Sequence, residues 1–240
     1  MRNIETKFED DFLRFLKCME KADCLNDIII IGSWAEYLYE KCDVIEKYEA
    51  NMQTIDLDIL IPEVNKTGER KPLVEIAKEE GFLYDEDRLT GATRFIGLSQ
   101  FEVEFLTPQR GDGSRKLPRT ILGVNAQQLT HLDMLKNDTI HVQIQGMKFR
   151  IPSPEAYVLH KMIINERRGE KAKKDRDKIN LLIPYLNLEN FETQRQLLTR
   201  KENKMYESYC TTANKSVNSI NTDEKVSKKS PKKQRKRGMR

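Results

Sequence analysis

Two aspartates, Asp56 and Asp58, flank Leu57 in the run Thr54-Ile55-Asp56-Leu57-Asp58-Ile59-Leu60-Ile61. Side chains alternate faces on a strand, so both carboxylates point one way while Ile55, Leu57 and Ile59 point into a core. Like charges so close repel and raise each other's pKa, and a divalent cation between them relieves that cost. Hard oxygen ligands suit Mg²⁺ or Mn²⁺, and Mg²⁺ usually takes one or two carboxylates together with substrate phosphates. Upstream, the apolar strand Asp27-Ile28-Ile29-Ile30-Ile31 ends at Gly32-Ser33 and is followed by Trp34-Ala35-Glu36-Tyr37-Leu38-Tyr39, which has helical spacing. A Gly-Ser pair at a strand-to-helix turn presents backbone N–H groups at a helix N-terminus, where the dipole favours phosphate. Together these residues describe a site for a metal-bound nucleoside triphosphate. Taken singly, each has a plainer alternative: a half-exposed strand with a polar outer face for Asp-Leu-Asp, and an ordinary N-cap for Gly-Ser.

A further acid comes from a second pair of strands. Residues 92–98 and 100–106 read as antiparallel strands joined by a tight turn. In the second, Phe101, Val103 and Phe105 share one face, and Glu102 and Glu104 the other. A third carboxylate beside Asp56 and Asp58 completes a two-metal clamp. Glu104 is the expected ligand and Glu102 the reserve; an acidic, solvent-facing edge is the alternative.

The remaining elements serve to position these acids. Residues 5–22 form an amphipathic helix with Phe8, Phe12, Phe15, Leu16 and Met19 on one side, suited to covering a sheet. Residues 71–81 read as a helix stopped by Gly81, and residues 82–84 as a short edge strand. Residues 108–118, with Gly111, Gly113, Arg110, Arg115 and Lys116, read as a loop. Strands are expected at 121–125, 139–145 and 147–151, with a partly helical pattern over 126–135. At Pro152 the composition changes: Ser153 caps a helix with Pro154 at its first position. Helices at 154–168, 171–186 and 188 to about 205 then make a helical lobe. The expected organisation is therefore a catalytic domain over 1–151, a helical C-terminal lobe over 152–208, and a basic tail over 209–240.

Composition narrows the class. The chain has 240 residues, 38% hydrophobic and 33% charged, enough for one large domain or a core with a smaller lobe. No run approaches a membrane span and the N-terminus MRNIETKFEDD is acidic rather than signal-like, so a cytoplasmic protein is expected. Cys18, Cys24, Cys42 and Cys210 lack CxxC spacing, and with three His neither a disulfide framework nor a zinc site is indicated. The net charge of +4 is uneven: residues 209–240 hold ten Lys or Arg against Asp223 and Glu224, which leaves the body at −4. Such a tail cannot bury a core and is expected to be disordered. It offers a sequence-blind grip on RNA or another polyanion, with a solubilising extension as the alternative.

Five blocks in order carry a family resemblance: Ile31-Gly32-Ser33; Ile55-Asp56-Leu57-Asp58-Ile59; Val103-Glu104-Phe105-Leu106-Thr107-Pro108; Ile151-Pro152-Ser153-Pro154-Glu155-Ala156; and His160-Lys161 with Lys174-Asp175-Arg176-Asp177. In these the chain resembles the DNA polymerase beta-like nucleotidyltransferases, more narrowly the bacterial group related to AbiEii-type proteins. The resemblance implies an α+β fold, a mixed sheet flanked by helices with a helical C-terminal lobe. It also implies Mg²⁺-dependent transfer of NMP from an NTP to a hydroxyl of RNA, protein or a small molecule. On that reading Asp56, Asp58 and Glu104 hold Mg²⁺ or Mn²⁺, although the family more often has Asp at the third position. Gly32 and Ser33 hold the phosphates, Lys161 reaches the nucleotide, and Lys174 and Asp177 match a further basic-acidic element. Arg94, one strand earlier, offers charge to a phosphate; an ordinary surface Arg is its alternative, as a solvated helix face is for Lys161. Relatives of this kind include toxins and phage-defence components, so the implied partners are an NTP, RNA such as tRNA, and an antitoxin protein, with no membrane. A noncatalytic nucleotide- or RNA-binding protein on the same fold is the rival reading.

Overall fold

The computed structural model describes residues 4–50, 56–109 and 117–227. Its centre is an eight-stranded mixed sheet in the order β3-β4-β5-β2-β1-β8-β7, with β6 paired to the far end of β5. The strands are β1 (Ile29–Ile31), β2 (Asp56–Leu60), β3 (Leu83–Glu86), β4 (Thr93–Ile96), β5 (Glu102–Pro108), β6 (Gln127–Leu129), β7 (Thr139–Ile144) and β8 (Met147–Pro152). The helices are α1 (Ile4–Lys21), α2 (Gly32–Lys41), α3 (Leu73–Glu79), α4 (Asp133–Asn137), α5 (Pro154–Ile164), α6 (Lys171–Leu182), α7 (Leu188–Gln196) and α8 (Arg200–Ser227). No helix among the described residues is long and apolar enough to cross a membrane.

The apolar stripe of α1 does what its spacing predicts. Phe12, Phe15, Leu16 and Met19 are fully buried, and the Phe12 ring stacks on Trp34 of α2 at 4.3 Å between centroids. Rings in such contact add about 0.5–1.5 kcal/mol beyond the area they bury. Leu57, Ile59, Val103 and Phe105 fill the same core from the sheet. Their neighbours on β2 and β5, the acids, are thereby turned to the opposite face. Ile55, expected on the core side, lies outside the described residues.

Strand register fixes the acids relative to one another. β2 and β5 run parallel, with Asp56 opposite Glu102 and Asp58 opposite Glu104. β1 lies antiparallel to β2, with Ile31 opposite Asp58, so the chain leaves the sheet at Gly32 beside that carboxylate. The antiparallel β4–β5 pair expected from residues 92–106 is present, with Arg94 opposite Glu104.

Three expectations for the elements give way. Residues 121–125 form no strand; they close a turn in which Thr120 N and Oγ1 both bond to the Val124 carbonyl. The helical pattern of 126–135 splits into β6 and α4 because Leu106–Pro108 of β5 extend past β4 and offer their open edge to Gln127–Leu129. The single helix expected over 188–205 breaks at Leu197. There Thr199 and Glu202 form a capping box: Glu202 Oε2 accepts from Thr199 N at 3.0 Å and Thr199 Oγ1 accepts from Glu202 N at 3.3 Å. The new helix, α8, continues to Ser227, so residues 209–227 are helical rather than disordered, and Tyr209 is buried against the core. The rest of the basic tail, 228–240, lies outside the described residues.

Candidate active site

At the C-terminal end of β1, between the sheet and α5–α6, lies a cleft of about 460 Å³. Gly32, Ser33, Asp56, Asp58 and Glu104 line it from the sheet side, and Lys161, Arg167, Arg168, Lys171, Lys174 and Lys178 from the helices. An acidic wall thus faces a basic one.

Gly32 is required where it stands. Its φ of +68° is a conformation that side-chain-bearing residues adopt only with strain, and a Cβ built there would lie 2.3 Å from Asp58 Oδ2. The Asp58 carboxylate therefore packs onto the backbone at the start of α2. Among the described residues no side chain caps that helix start, and uncapped N–H groups at a helix N-terminus are the kind that favour an anion.

Burial, with the charges of Glu104 and Asp56, pushes the Asp58 carboxyl up to about 7. Glu104 is also held above its ordinary value, by burial and then by Asp56. Glu104 lines the cleft, whereas Glu102 does not. Carboxylate oxygens in this state suit a hard divalent cation, whose charge would offset both the burial and the repulsion that raise them. Among the described residues no three His, Cys, Asp or Glu converge tightly enough to cage a metal alone. The carboxylates of Asp56, Asp58 and Glu104 on the sheet side of the cleft are hard oxygen donors, the type a divalent cation takes.

The basic wall is held by two ion pairs that share the buried Asp175 carboxylate. Lys161 Nζ donates to Asp175 at 2.7 Å, and Arg168 Nε donates to the other Asp175 oxygen at 2.9 Å. Burial pushes the Asp175 carboxyl up, but Lys161 and Arg168 outweigh it and hold it below its ordinary value. Lys161 itself is lowered by burial despite Asp175. Lys178 Nζ lies 2.5 Å from Glu36 Oε2 and 3.1 Å from Ser33 Oγ. Among the described residues, Arg167, Lys171 and Lys174 make no ion pair. They are cleft-lining charges not taken up by a carboxylate among the described residues.

The structure thus brings together Gly32, Ser33, Asp56, Asp58, Glu104, Lys161 and Lys174. Arg94 is in register with Glu104, but its guanidinium donates to Asp85 at 2.5 Å and does not line the cleft. Within the Lys174–Asp177 block the buried acid is Asp175, while Asp177 is exposed. Sequence reasoning missed Lys178, Arg167, Arg168 and Lys171. The available signal was spacing: Lys171, Lys174, Asp175 and Lys178 stand three, four and seven residues apart, which is one face of a helix.

The chain matches the family described as Nucleotidyltransferase over residues 10–200 and belongs to that family. No curated protein matches it in sequence. It is similar to the crystal structure of an antigenic nucleotidyltransferase-like protein from Paracoccidioides brasiliensis, at 14% identity over 88% of this chain and 89% of that one, with a TM-score of 0.51. It is also similar to the solution structure of the antibiotic-resistance factor ANT(2'')-Ia, at 12% identity over 92% of this chain and 100% of that one, with a TM-score of 0.47. The first of these likenesses shows the fold.

Proposed function

We propose that this chain transfers the nucleoside monophosphate of an NTP to an acceptor hydroxyl on RNA, protein or a small molecule. The observation that carries the reading is the single cleft in which two register-paired acids, Asp58 and Glu104, face the N-terminus of α2 and a wall of Lys and Arg. Asp56, Asp58 and Glu104 would hold Mg²⁺ or Mn²⁺, which when bound supplies Lewis acidity toward the acceptor hydroxyl and the phosphates. Ser33 and the N–H groups at the start of α2 grip the triphosphate. Lys171, Lys174 and Arg167 carry charge that balances the departing pyrophosphate. An acid such as Glu104 would assist as the base that takes the acceptor's proton, with activation by the metal sufficient on its own. No covalent intermediate on the protein is needed.

The test is incubation with each α-phosphate-labelled NTP and fractionated lysate. One labelled acceptor with release of pyrophosphate is expected. Calorimetric NTP binding with no pyrophosphate released from any fraction would favour the noncatalytic binder instead. The resemblance of the motif order to AbiEii-type proteins is what supports a toxin or defence role with an antitoxin partner. Growth arrest on expression, relieved by Asp56→Asn, is expected for that role; harmless accumulation of active protein would contradict it. The basic composition of residues 228–240 supports contact with a polyanion such as tRNA.

A further inference from the structure

We infer that Lys178 is a positioning residue for the triphosphate: it fixes the Ser33 hydroxyl as a hydrogen-bond donor into the cleft, a role that rests on the nucleotide-binding reading above. Lys178 comes from α6 and is only 5% exposed, yet its Nζ lies 3.1 Å from Ser33 Oγ on α2. An ammonium can only donate, whereas a serine hydroxyl has one proton to give and two lone pairs to receive. In this pair Ser33 must be the acceptor, so its own proton points elsewhere. No acceptor for that proton exists among the described residues, and Ser33 lines the cleft. A hydroxyl left to itself can either donate or accept. Accepting from Lys178 fills one of its lone pairs on that side and leaves its proton to be given into the cleft, and phosphate oxygens are acceptors.

The lysine is itself held from behind. Glu36, 1% exposed and three residues after Ser33 on α2, takes Lys178 at 2.5 Å, Tyr48 Oη at 2.8 Å and Tyr157 Oη at 3.1 Å. Three donors on one buried carboxylate fix where the ammonium can stand, so the arrangement exists before nucleotide arrives and little ordering remains for binding to supply. The phosphate grip at the start of α2 is in this way set by the C-terminal helices. If Lys178 instead met the phosphates directly, its removal would weaken binding whatever residue stood at 33.

A double-mutant cycle on NTP affinity separates these roles. Ser33→Ala and Lys178→Met are each expected to weaken calorimetric NTP binding by about tenfold. The double variant should bind within about twofold of the weaker single, because Lys178 acts through Ser33. Losses that multiply to about a hundredfold would overturn the inference. Lys178→Met leaves Glu36 buried without its cation, so the cycle is repeated with Lys178→Met and Glu36→Gln introduced together as one leg, which removes both charges of the pair at once, and the same coupling to Ser33→Ala is expected. Melting temperatures accompany both cycles: a lysine of purely structural use would lower them and weaken binding independently of Ser33. Wild-type protein that binds no NTP would sink the nucleotide-binding reading and this inference with it. Wild-type binding with multiplicative losses would sink the inference alone.

Discussion

Asp58 concentrates the chemistry at the scale of single residues, because one carboxylate meets a helix start, a register-paired glutamate and the cleft. Gly32→Ala tests that contact. The added methyl would collide with Asp58 in a backbone conformation that strains any side chain, so a stability loss of about 1–2 kcal/mol is expected in urea unfolding, together with loss of transfer. His160 gives a second residue-scale prediction. Burial, with Lys161 nearby, pushes its imidazole down to about 3, against an ordinary value of 6.5. The unfolded chain therefore binds a proton that the folded one refuses between those values. Stability contributed by neutral His160 is complete above pH 6.5 and is lost as pH falls toward 3, with a slope of roughly 1.4 kcal/mol per pH unit. His160→Gln should flatten this acid limb in denaturation series from pH 6.5 to 4; an unchanged slope would show that the imidazole is not kept neutral.

The helices decide the cleft's basic wall at the scale of elements. The Lys161–Asp175–Arg168 cluster ties α5 to α6, and removing one member of a buried charge cluster strands the others. Asp175→Asn is expected to cost about 3 kcal/mol in chemical denaturation. The break before α8 is a gentler feature. Thr199→Ala removes one half of a capping box and should cost about 1 kcal/mol while leaving transfer per folded molecule unchanged. The same elements show what the sequence could disclose. Asp56, Asp58 and Glu104 were legible because strand alternation is a local rule, and Gly32-Ser33 because a strand-to-helix turn announces itself. Lys178 was hidden: α6 reads Lys-Ala-Lys-Lys-Asp-Arg-Asp-Lys, polar on most sides, and only docking against α2 chooses the buried face. β6 was hidden for a related reason, since Gln127–Leu129 are extended by the open end of β5 rather than by any period of their own. The capping box of α8 was present as Thr199-Arg200-Lys201-Glu202 and could have been read.

The whole molecule combines an acidic patch on one face of the sheet, a basic helical wall and a strongly basic terminus. Residues 228–240 hold eight Lys or Arg and no acid. Removing them should weaken binding to a generic RNA and make its salt dependence shallower. NTP affinity should stay as it was, because the cleft is built from residues 31–178. An equal loss of both would show that the terminus serves the cleft itself. The account as a whole stands on the two aspartates of β2 sharing one centre with Glu104 and the α2 N-terminus. Its most direct test is the rate of labelled NMP transfer to the identified acceptor by Asp56→Asn and Asp58→Asn proteins whose melting temperatures match the wild type. A fall of at least about a hundredfold for each is predicted; transfer that persists undiminished would contradict the central claim.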